Sequence, residues 1–375
     1  MDLRVSKDAG AIDAIVAYDV ASAEEGIEAS VLGGLKALER DPKLGLVFVG
    51  DSNRLDKTAG YLIRKNPSLE AVLQRADFRH AASVVGMAEH PARALVKTNS
   101  SLAVCVNLVH DSEADIWTSP GNSKAVVAYS RLDRGYFDKN TVSLEKECFK
   151  MRTKALKPGL LARVPCRGGG IKYVCDTGGV VDPSSDILVN YAFMTSKYLE
   201  LVIGLEYPRI ALLNIGSEPG KGGLIYREAY DELARLGDSG VLNFVGNREP
   251  KDIFKLGIAD GFVSDAQVGN TFLKASEATV DFMVDMMRKA VCEQHLLRRL
   301  VAAYSLRPVK RAIKSNTDTT RFGGAFLLGT RYNTVLTHGA AGVDELTGSI
   351  LYSARIVRSG VSQDLFDVSS GHLRS

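Results

Sequence analysis

Short apolar runs alternate with amphipathic helical patterns along most of this chain. AIVAYD (Ala14–Asp19) and GLVFVGD (Gly45–Asp51) each have the pattern of a buried strand, and a helical pattern follows each of them. A helix over roughly Pro91–His110, a strand around Asp115–Thr118 and another helix after SPGNSK continue the order. Repeated strand–helix units predict an α/β fold, with a three-layer, doubly wound and mostly parallel sheet.

The pattern changes in the middle of the chain. Residues 133–158 are charged and weakly patterned, which predicts an excursion on the surface. LLARVPC and IKYVCDTGG flank three glycines at 168–170 and predict a β-hairpin, because glycine permits a tight turn. A helix is expected over roughly Asp186–Gly204, with Asp182 and Ser184 as candidate N-caps.

The last third of the chain returns to strand–helix alternation. Three apolar runs between Arg209 and Lys274 each end in a turn that opens a helical pattern, and a long helix is expected over about Asn270–Gln294. FGGAFLLGTRYNTVLTHG predicts one or two final strands, and a terminal helix extends to about Arg358. We therefore expect one large α/β domain over residues 1–359 and a loose tail over residues 360–375.

Composition narrows the class of protein more than its activity. The 375 residues are 45% apolar and 24% charged, which is typical of a soluble globular protein. A net charge of +3 does not indicate a nucleic-acid-binding surface. The five scattered cysteines form no zinc or redox motif. No uninterrupted apolar run reaches the length of about 18 residues that is needed to span a membrane. We predict a cytoplasmic protein with no metal and no cofactor.

Turns that open helices can bind anions, because the first N–H groups of a helix have no partner inside it. GSEPGKGG (Gly216–Gly223) superficially resembles a Walker loop, but its glycine spacing is one residue short and Lys221 is followed by glycine instead of Ser or Thr. A dinucleotide fingerprint also fails there, because the third glycine is missing. An anion-binding turn and a plain structural turn remain as the two main interpretations.

VGNTFLK (Val268–Lys274) places Gly269 and Asn270 at a predicted helix start, with Lys274 one turn later. The helix dipole, free N–H groups and an ammonium could converge there on a phosphate or a developing oxyanion. An ordinary cap with a solvated lysine is the alternative. Asp265, at the preceding strand end, could orient a ligand or cap the turn.

Two more turns share this strand–turn–helix design. SPGNSK (Ser119–Lys124) offers Asn122 and Ser123 as donors, and DTGGVVD (Asp176–Asp182) combines glycines with two carboxylates, although capping would also explain either turn. Because the carboxyl ends of parallel strands face one edge of a sheet, we expect all four turns to gather there. His338, in THG, is either structural or part of this site, and no nucleophile elbow indicates covalent catalysis.

A basic amphipathic stretch lies near residues 292–318. Within Leu296–Lys314, apolar side chains alternate with arginines and lysines, and Pro308 divides the stretch into two helical arms. Such a segment can lie on an anionic membrane or dock an acidic protein. Packing on its own domain or on a dimer mate is the alternative.

The motifs LLNIGSE with a following KG, NFVGN, VSDxxxGNxxLK, FGGAFLLG and THG occur in this order, with weaker matches in SSL, SPGN and DTGGVVD. The ordered set resembles the PlsX-type phosphate acyltransferases of bacterial phospholipid synthesis, over most of the chain. The resemblance implies a fold similar to the phosphotransacetylase and isocitrate-dehydrogenase class, a homodimer, and peripheral contact with the membrane.

The resemblance also implies a reaction. Inorganic phosphate would attack the thioester of a fatty acyl–acyl-carrier-protein, giving an acyl phosphate for phospholipid synthesis and the free carrier. Phosphate is already anionic near neutral pH, so the protein must position it and stabilise the oxyanion and the departing thiolate. Turns that supply N–H groups, Asn, Ser and Lys could do this without a catalytic triad.

On this resemblance, the expected catalytic residues are Asp265, which would orient the substrate, Asn270 and Lys274, which would bind phosphate or the oxyanion, and His338 nearby. The expected phosphate- or substrate-binding residues come from the surrounding turns. They are Asp19, Asn122, Ser123, Asp176, Gly178, Asp182, Asn214, Gly216, Glu218, Lys221, Asn247 and Gly269.

The N-terminal half departs from the family pattern. The family's DAMGGDHAP corresponds here to DVASAEEGI, which keeps Asp19 but lacks the glycine pair, the histidine and the proline. Glu24 and Glu25 in this loop would repel an anion if they pointed inward. Two alternatives therefore stay open: a non-catalytic relative that binds acyl carrier or lipid as a regulator or scaffold, and a phosphotransacetylase that acts on a short acyl-CoA.

Overall fold

An eleven-stranded sheet organises the chain in a computed structural model, which describes residues 5, 11–130, 157–293, 323–330 and 332–361. The strands form where the sequence has its short apolar runs, and most of their residues are buried. In chain order they are β1 (Ala14–Asp19), β2 (Leu44–Gly50), β3 (Ala76–His80), β4 (Ile116–Ser119), β5 (Gly159–Pro165), β6 (Ile171–Cys175), β7 (Ile210–Leu213), β8 (Phe244–Arg248), β9 (Gly261–Val263), β10 (Ala325–Leu328) and β11 (Thr334–Leu336).

Helices separate most of the strands. They are α1 (Ile27–Arg40), α2 (Ser52–Lys65), α3 (Pro91–Ala94), α4 (Ser101–His110), α5 (Ser123–Tyr129), α6 (Ser185–Tyr198), α7 (Leu224–Asp238), α8 (Pro250–Ile253), α9 (Ala266–Cys292) and α10 (Val343–Arg358). None of the helices in the described part of the chain is both long and apolar enough to cross a bilayer. Most of the predicted excursion, the basic segment Leu296–Lys314 and most of the predicted tail lie outside the described residues.

The sheet consists of two parallel blocks that run in opposite directions. The strand order is β3-β2-β1-β4-β11-β10-β5-β6-β9-β7-β8. The first block consists of β3, β2, β1, β4 and β11, which are mutually parallel. The second block consists of β6, β9, β7 and β8, which are also mutually parallel. The three pairings between the blocks, β11–β10, β10–β5 and β5–β6, are antiparallel. An odd number of reversals leaves the carboxyl ends of the two blocks at opposite edges.

This reversal corrects the expectation that four turns share one edge. The turns at 176–182, 216–223 and 265–269 follow strands β6, β7 and β9 of the second block. SPGNSK follows β4 of the first block and therefore lies at the opposite edge. The strand–helix alternation alone could not show this, because it does not encode which strands pair across the middle of the sheet.

Side-chain alternation along the strands separates the core into layers. In β1, Val16 and Tyr18 join one large apolar cluster, which extends under α1, α2, α6, α7 and α10 and includes strands of both blocks. Ile15 and Ala17 point to the other face, where α4 and α5 cover the first block. On that same face, a separate cluster around Phe262 covers the second block. The two blocks thus share a core on one face and have separate cores on the other.

Most predicted elements are confirmed, with adjusted ends. The hairpin is present as β5 and β6, and the final apolar stretch forms two strands, β10 and β11. The single helix expected over Pro91–His110 is wrong, because the chain turns between residues 95 and 100. Ser100 then caps α4, its hydroxyl accepting the N–H of Ala103 at 3.3 Å. At the start of α6, Ser184 occupies the N-cap position without a side-chain capping bond, and Asp182 is exposed.

Candidate active site

The predicted site residues divide between the two edges of the sheet, and helix α9 extends from one edge toward the other. The edge after β6, β7 and β9 carries Asp176, Asn214 and Asp265. The edge after β1, β4 and β11 carries Asp19, Asn122 and His338.

The side chain of Asp176 occupies the backbone N–H groups of its own turn. The carboxylate of Asp176 accepts N–H groups from Leu160 at 2.8 Å, Gly178 at 2.9 Å, Gly179 at 2.8 Å and Val180 at 2.6 Å. Burial raises the pKa of the Asp176 carboxyl, and these backbone donors oppose the rise. The N–H group of Gly178, expected to hold phosphate, is therefore used inside the protein.

Two asparagine amides hold the loop that follows β7. Asn214 Nδ2 donates to the carbonyl of Lys221 at 3.0 Å and to Asn247 Oδ1 at 3.2 Å. Asn247 Nδ2 in turn donates to the carbonyl of Glu218 at 2.8 Å. Gly216 lies buried against the Glu218 and Lys221 side chains, which form a long ion pair of 3.9 Å. Both amides thus fix the shape of the loop.

The N-terminus of α9 is also occupied by protein groups. The helix begins at Ala266, four residues before the predicted start at Asn270, with Asp265 as its N-cap. Asp265 Oδ1 accepts the N–H of Val268 at 2.7 Å, and Asp265 Oδ2 accepts the Tyr226 hydroxyl at 2.6 Å. The N–H of Ala266 donates to the carbonyl of Val180 at 2.9 Å. Of the two roles weighed for Asp265, capping is the one that this geometry supports.

Gly269 permits the closest approach in this region. A Cβ at Gly269 would lie 2.0 Å from the carbonyl oxygen of Asp176, so only glycine fits between α9 and that turn. This contact and the Asp265 cap fix where the helix starts. They thereby set where the side chains further along α9 reach.

Three polar side chains lie on one face of α9, because Asn270, Lys274 and Glu277 are spaced by four and three residues. Lys274 Nζ is 3.0 Å from Glu277 Oε2, and Glu277 Oε1 is 4.0 Å from His338 Nε2. The side chains of Lys274 and His338 are both 59% exposed, which leaves them accessible to a substrate. Lys274 and His338, 64 residues apart in the sequence, thus reach the same place.

The environment shifts the titration of this histidine. Partial burial and the Lys274 ammonium hold the pKa of His338 below its usual value, and the Glu277 carboxylate acts in the opposite direction. Near neutral pH the imidazole is therefore mostly uncharged and can exchange a proton with a reacting group. Glu277 was missed in the sequence, although its position three residues after Lys274 on an amphipathic helix was the available signal.

At the same edge, a buried carboxyl is surrounded by hydroxyls. Ser119 Oγ donates to Asp19 Oδ2 at 2.7 Å and accepts the N–H of Gly121 at 2.9 Å. The hydroxyls of Ser22 and Ser101 also face this carboxyl, and they oppose the rise that burial produces in the pKa of Asp19. The serines were not predicted as site residues, because their grouping depends on strand pairing between β1 and β4.

Asn122 connects α5 to the loop before α3. Its Oδ1 accepts the N–H groups of Lys124 and Ala125, at 3.0 and 3.2 Å, and so caps α5. Its Nδ2 donates to the carbonyls of Gly86, Met87 and Glu89 at 3.2, 2.9 and 2.8 Å. Asn122 therefore has a structural role that uses both ends of its amide, whereas Ser123 is exposed at the start of α5.

The loop after β1 closes against the turn that carries His338. The N–H of Glu24 donates to the carbonyl of Gly339 at 2.9 Å. A Cβ at Gly339 would lie 3.0 Å from Glu24 Oε1 and 2.8 Å from Met87 Cε, so both side chains lie against this glycine. The acidic loop, the Asn122-anchored loop and the Lys274–Glu277–His338 group therefore form one continuous surface.

Comparison with known proteins places this geometry in context. The family model described as "Fatty acid synthesis protein" matches residues 14–364. The phosphate acyltransferase of Vesicomyosocius okutanii subsp. Calyptogena okutanii is 35% identical over 338 residues, which cover 89% of this chain and 91% of that protein. The phosphate acyltransferase of Brevibacillus brevis is 30% identical over 349 residues, 93% of this chain and 95% of that protein.

A solved structure supports the fold. The phosphotransacetylase of Streptococcus pyogenes superposes with a TM-score of 0.54 at 12% identity, and the match covers 95% of this chain and 97% of that one. At such low identity the likeness concerns the fold alone. The predicted fold class is confirmed by this match and by the mostly parallel sheet with helices on both faces.

Proposed function

The chain belongs to the fatty acid synthesis protein family, and on that premise we propose that it is a phosphate acyltransferase. It would move a fatty acyl group from acyl-acyl-carrier-protein to inorganic phosphate and so supply acyl phosphate for phospholipid synthesis. Relatives at 30% and 35% identity are named phosphate acyltransferases. The structural observation that carries the proposal is the meeting of Lys274 with His338 on an accessible edge.

The edge after β1, β4 and β11 is the better candidate for the chemistry. At the opposite edge, the groups of Asp176, Asn214 and Asp265 hold the protein's own backbone. Lys274 supplies an accessible positive charge, and His338 supplies a group that can exchange a proton near neutral pH. Asn270 lies on the same helix face as Lys274, one turn closer to the helix start.

In the proposed reaction, a phosphate oxygen attacks the carbonyl carbon of the thioester and a C–O bond forms. The carbon–sulfur bond then breaks, and the sulfur leaves with the bonding electron pair. Lys274 holds the phosphate and offsets the negative charge that develops on the carbonyl oxygen. His338, in its protonated fraction, gives a proton to the departing thiolate and regains it from solvent.

The test measures thiol release from an acyl-carrier thioester with and without phosphate, with an acyl-CoA thioester in parallel. We expect phosphate-dependent release from the carrier substrate, lowered by about 10²–10³ in Lys274→Met, since a positioned charge that stabilises an oxyanion is lost. Lys289→Met is the matched control, because Lys289 lies on the same helix in an exposed ion pair of 3.9 Å with Glu293. Release that does not depend on phosphate, or that survives in Lys274→Met, would contradict the proposal.

One observation favours the second candidate, a non-catalytic relative that binds acyl carrier or lipid. The Glu24 carboxylate lies against Gly339, next to His338, where its charge would repel an incoming anion. Carrier binding without turnover in the wild type would support this candidate. Release that appears only in Glu24→Gln would show that this carboxylate is what silences the site.

We also propose a cytoplasmic homodimer with one large α/β domain and peripheral membrane contact through Leu296–Lys314. The basic and apolar alternation of that segment supports the membrane contact. Sedimentation of the full-length protein tests the dimer, and flotation with anionic vesicles tests the contact. The absence of flotation at low salt would contradict the membrane proposal.

A further inference from the structure

We infer that Glu277 is a positioning residue for the proposed reaction, with one carboxylate oxygen on the Lys274 ammonium and the other facing the His338 imidazole. The inference rests on the proposed function, because the groups that Glu277 aligns are those assigned to phosphate and to the leaving thiolate. Glu277 itself need not touch the substrate.

The geometry places Glu277 between two fixed parts of the backbone. Lys274 and Glu277 are carried by α9, whose start is set by the Asp265 cap and the contact at Gly269. His338 is carried by the turn after β11, where the N–H of Thr337 donates to the carbonyl of Ser119 at 3.0 Å. The side chains are therefore the mobile part of the arrangement. The Glu277 carboxylate lies between them, with Oε2 3.0 Å from Lys274 Nζ and Oε1 4.0 Å from His338 Nε2.

The consequence for catalysis concerns alignment. An exposed lysine has a long, flexible stem, and its ammonium would sample many positions without a partner. The reaction needs phosphate on one side of the thioester carbon and a proton donor near the sulfur on the other. A single carboxylate that faces both Lys274 and His338 favours arrangements in which these two groups lie close together, and such positioning lowers a reaction barrier.

The charges around the imidazole make this arrangement measurable. Lys274 and Glu277 face His338 from α9, and Glu24 approaches the adjacent Gly339 from the loop after β1. Lys274 lowers the pKa of His338 and Glu277 raises it. Removal of the Lys274 charge should therefore raise the pKa of His338, and removal of the Glu277 charge should lower it.

The experiment follows the imidazole signals of the full-length protein by NMR as a function of pH. The chain has six histidines, and loss of a signal in His338→Gln assigns the relevant one. We expect Glu277→Gln to lower the pKa of His338 and Lys274→Met to raise it. Asp285→Asn is the control, because it breaks the ion pair of Asp285 with Arg288, which has the same three-residue spacing on the same helix. It should leave the pKa of His338 unchanged.

The kinetic arm separates positioning from simple structural support. Glu277→Gln should raise the KM for phosphate and lower kcat, each by about fivefold, the scale of a partly exposed ion pair. Asp285→Asn should change neither. An unmoved His338 pKa in Glu277→Gln overturns the inference whatever the activity. If the two variants show the expected pKa shifts but the wild-type protein shows no phosphate-dependent release, the proposed function is overturned, and the assigned role of Glu277 with it.

Discussion

Replacement of Gly269 by alanine tests whether the start of α9 sets the site geometry. A Cβ there would lie 2.0 Å from the carbonyl oxygen of Asp176 and 2.9 Å from Ser264 Oγ. The first neighbour is backbone, in a turn that Asp176 itself ties together through several N–H groups. The methyl group can therefore be accommodated only if the helix or the turn moves.

Two opposing contributions set the change in the free energy of unfolding of Gly269→Ala. Alanine is favoured over glycine inside a helix by about 1 kcal/mol. Overpacking in a well-filled region costs about 1–3 kcal/mol, and a contact more than an ångström too short belongs at the upper end. We expect a net loss of roughly 2 kcal/mol in the free energy of unfolding. If α9 instead shifts by about 1 Å, Lys274 moves with it, and activity falls by about 10² because alignment is lost.

The assay compares urea unfolding midpoints and phosphate-dependent thiol release of Gly269→Ala with those of Gly60→Ala. Gly60 lies within α2, where a Cβ would meet only the flexible Arg64 Nη1 at 3.7 Å. Gly60→Ala should therefore raise the unfolding free energy, by up to about 1 kcal/mol, with activity unchanged. If both variants shift in the same direction with activity intact, the close approach at Gly269 is not a constraint and the reasoning fails.

Two further variants test the buried polar groups. Because burial raises the folded-state pKa of Asp19, its contribution to stability is present below about pH 4 and is lost as the pH rises through the folded value. The urea midpoint of Asp19→Asn should therefore gain on that of the wild type between pH 4 and pH 7, and a pH-independent difference would contradict this. Tyr226→Phe removes a hydroxyl that donates to Asp265 Oδ2 at 2.6 Å and accepts its N–H at 3.1 Å. It should cost about 1–3 kcal/mol in unfolding free energy, and an equal effect of Tyr230→Phe on the same helix would argue against this role.

Much of the local structure follows from the sequence alone. Apolar runs such as Ala14–Asp19 predict strands, and the amphipathic patterns between them predict helices. Both signals are local, because the spacing of apolar residues within a short segment determines which face of the strand or helix can be buried. The hairpin around Gly168 and the helix after SPGNSK follow from local turn chemistry in the same way. Ordered motifs such as NFVGN and THG also indicate the family, and the family match over residues 14–364 confirms it.

The arrangement of the site was decided by tertiary structure. Strand direction across β10, β5 and β6 depends on pairings between distant segments, so the opposite senses of the two blocks could not be read from any local pattern. The same reversals separate Asp176 from Asp19 and leave Lys274 and His338 to meet through Glu277. The sequence also could not show that the Asp176 carboxylate accepts the N–H groups of its own turn. A turn that binds phosphate and a turn that its own aspartate fills can have the same residues. Local periodicity determines elements, whereas a site depends on which elements become neighbours.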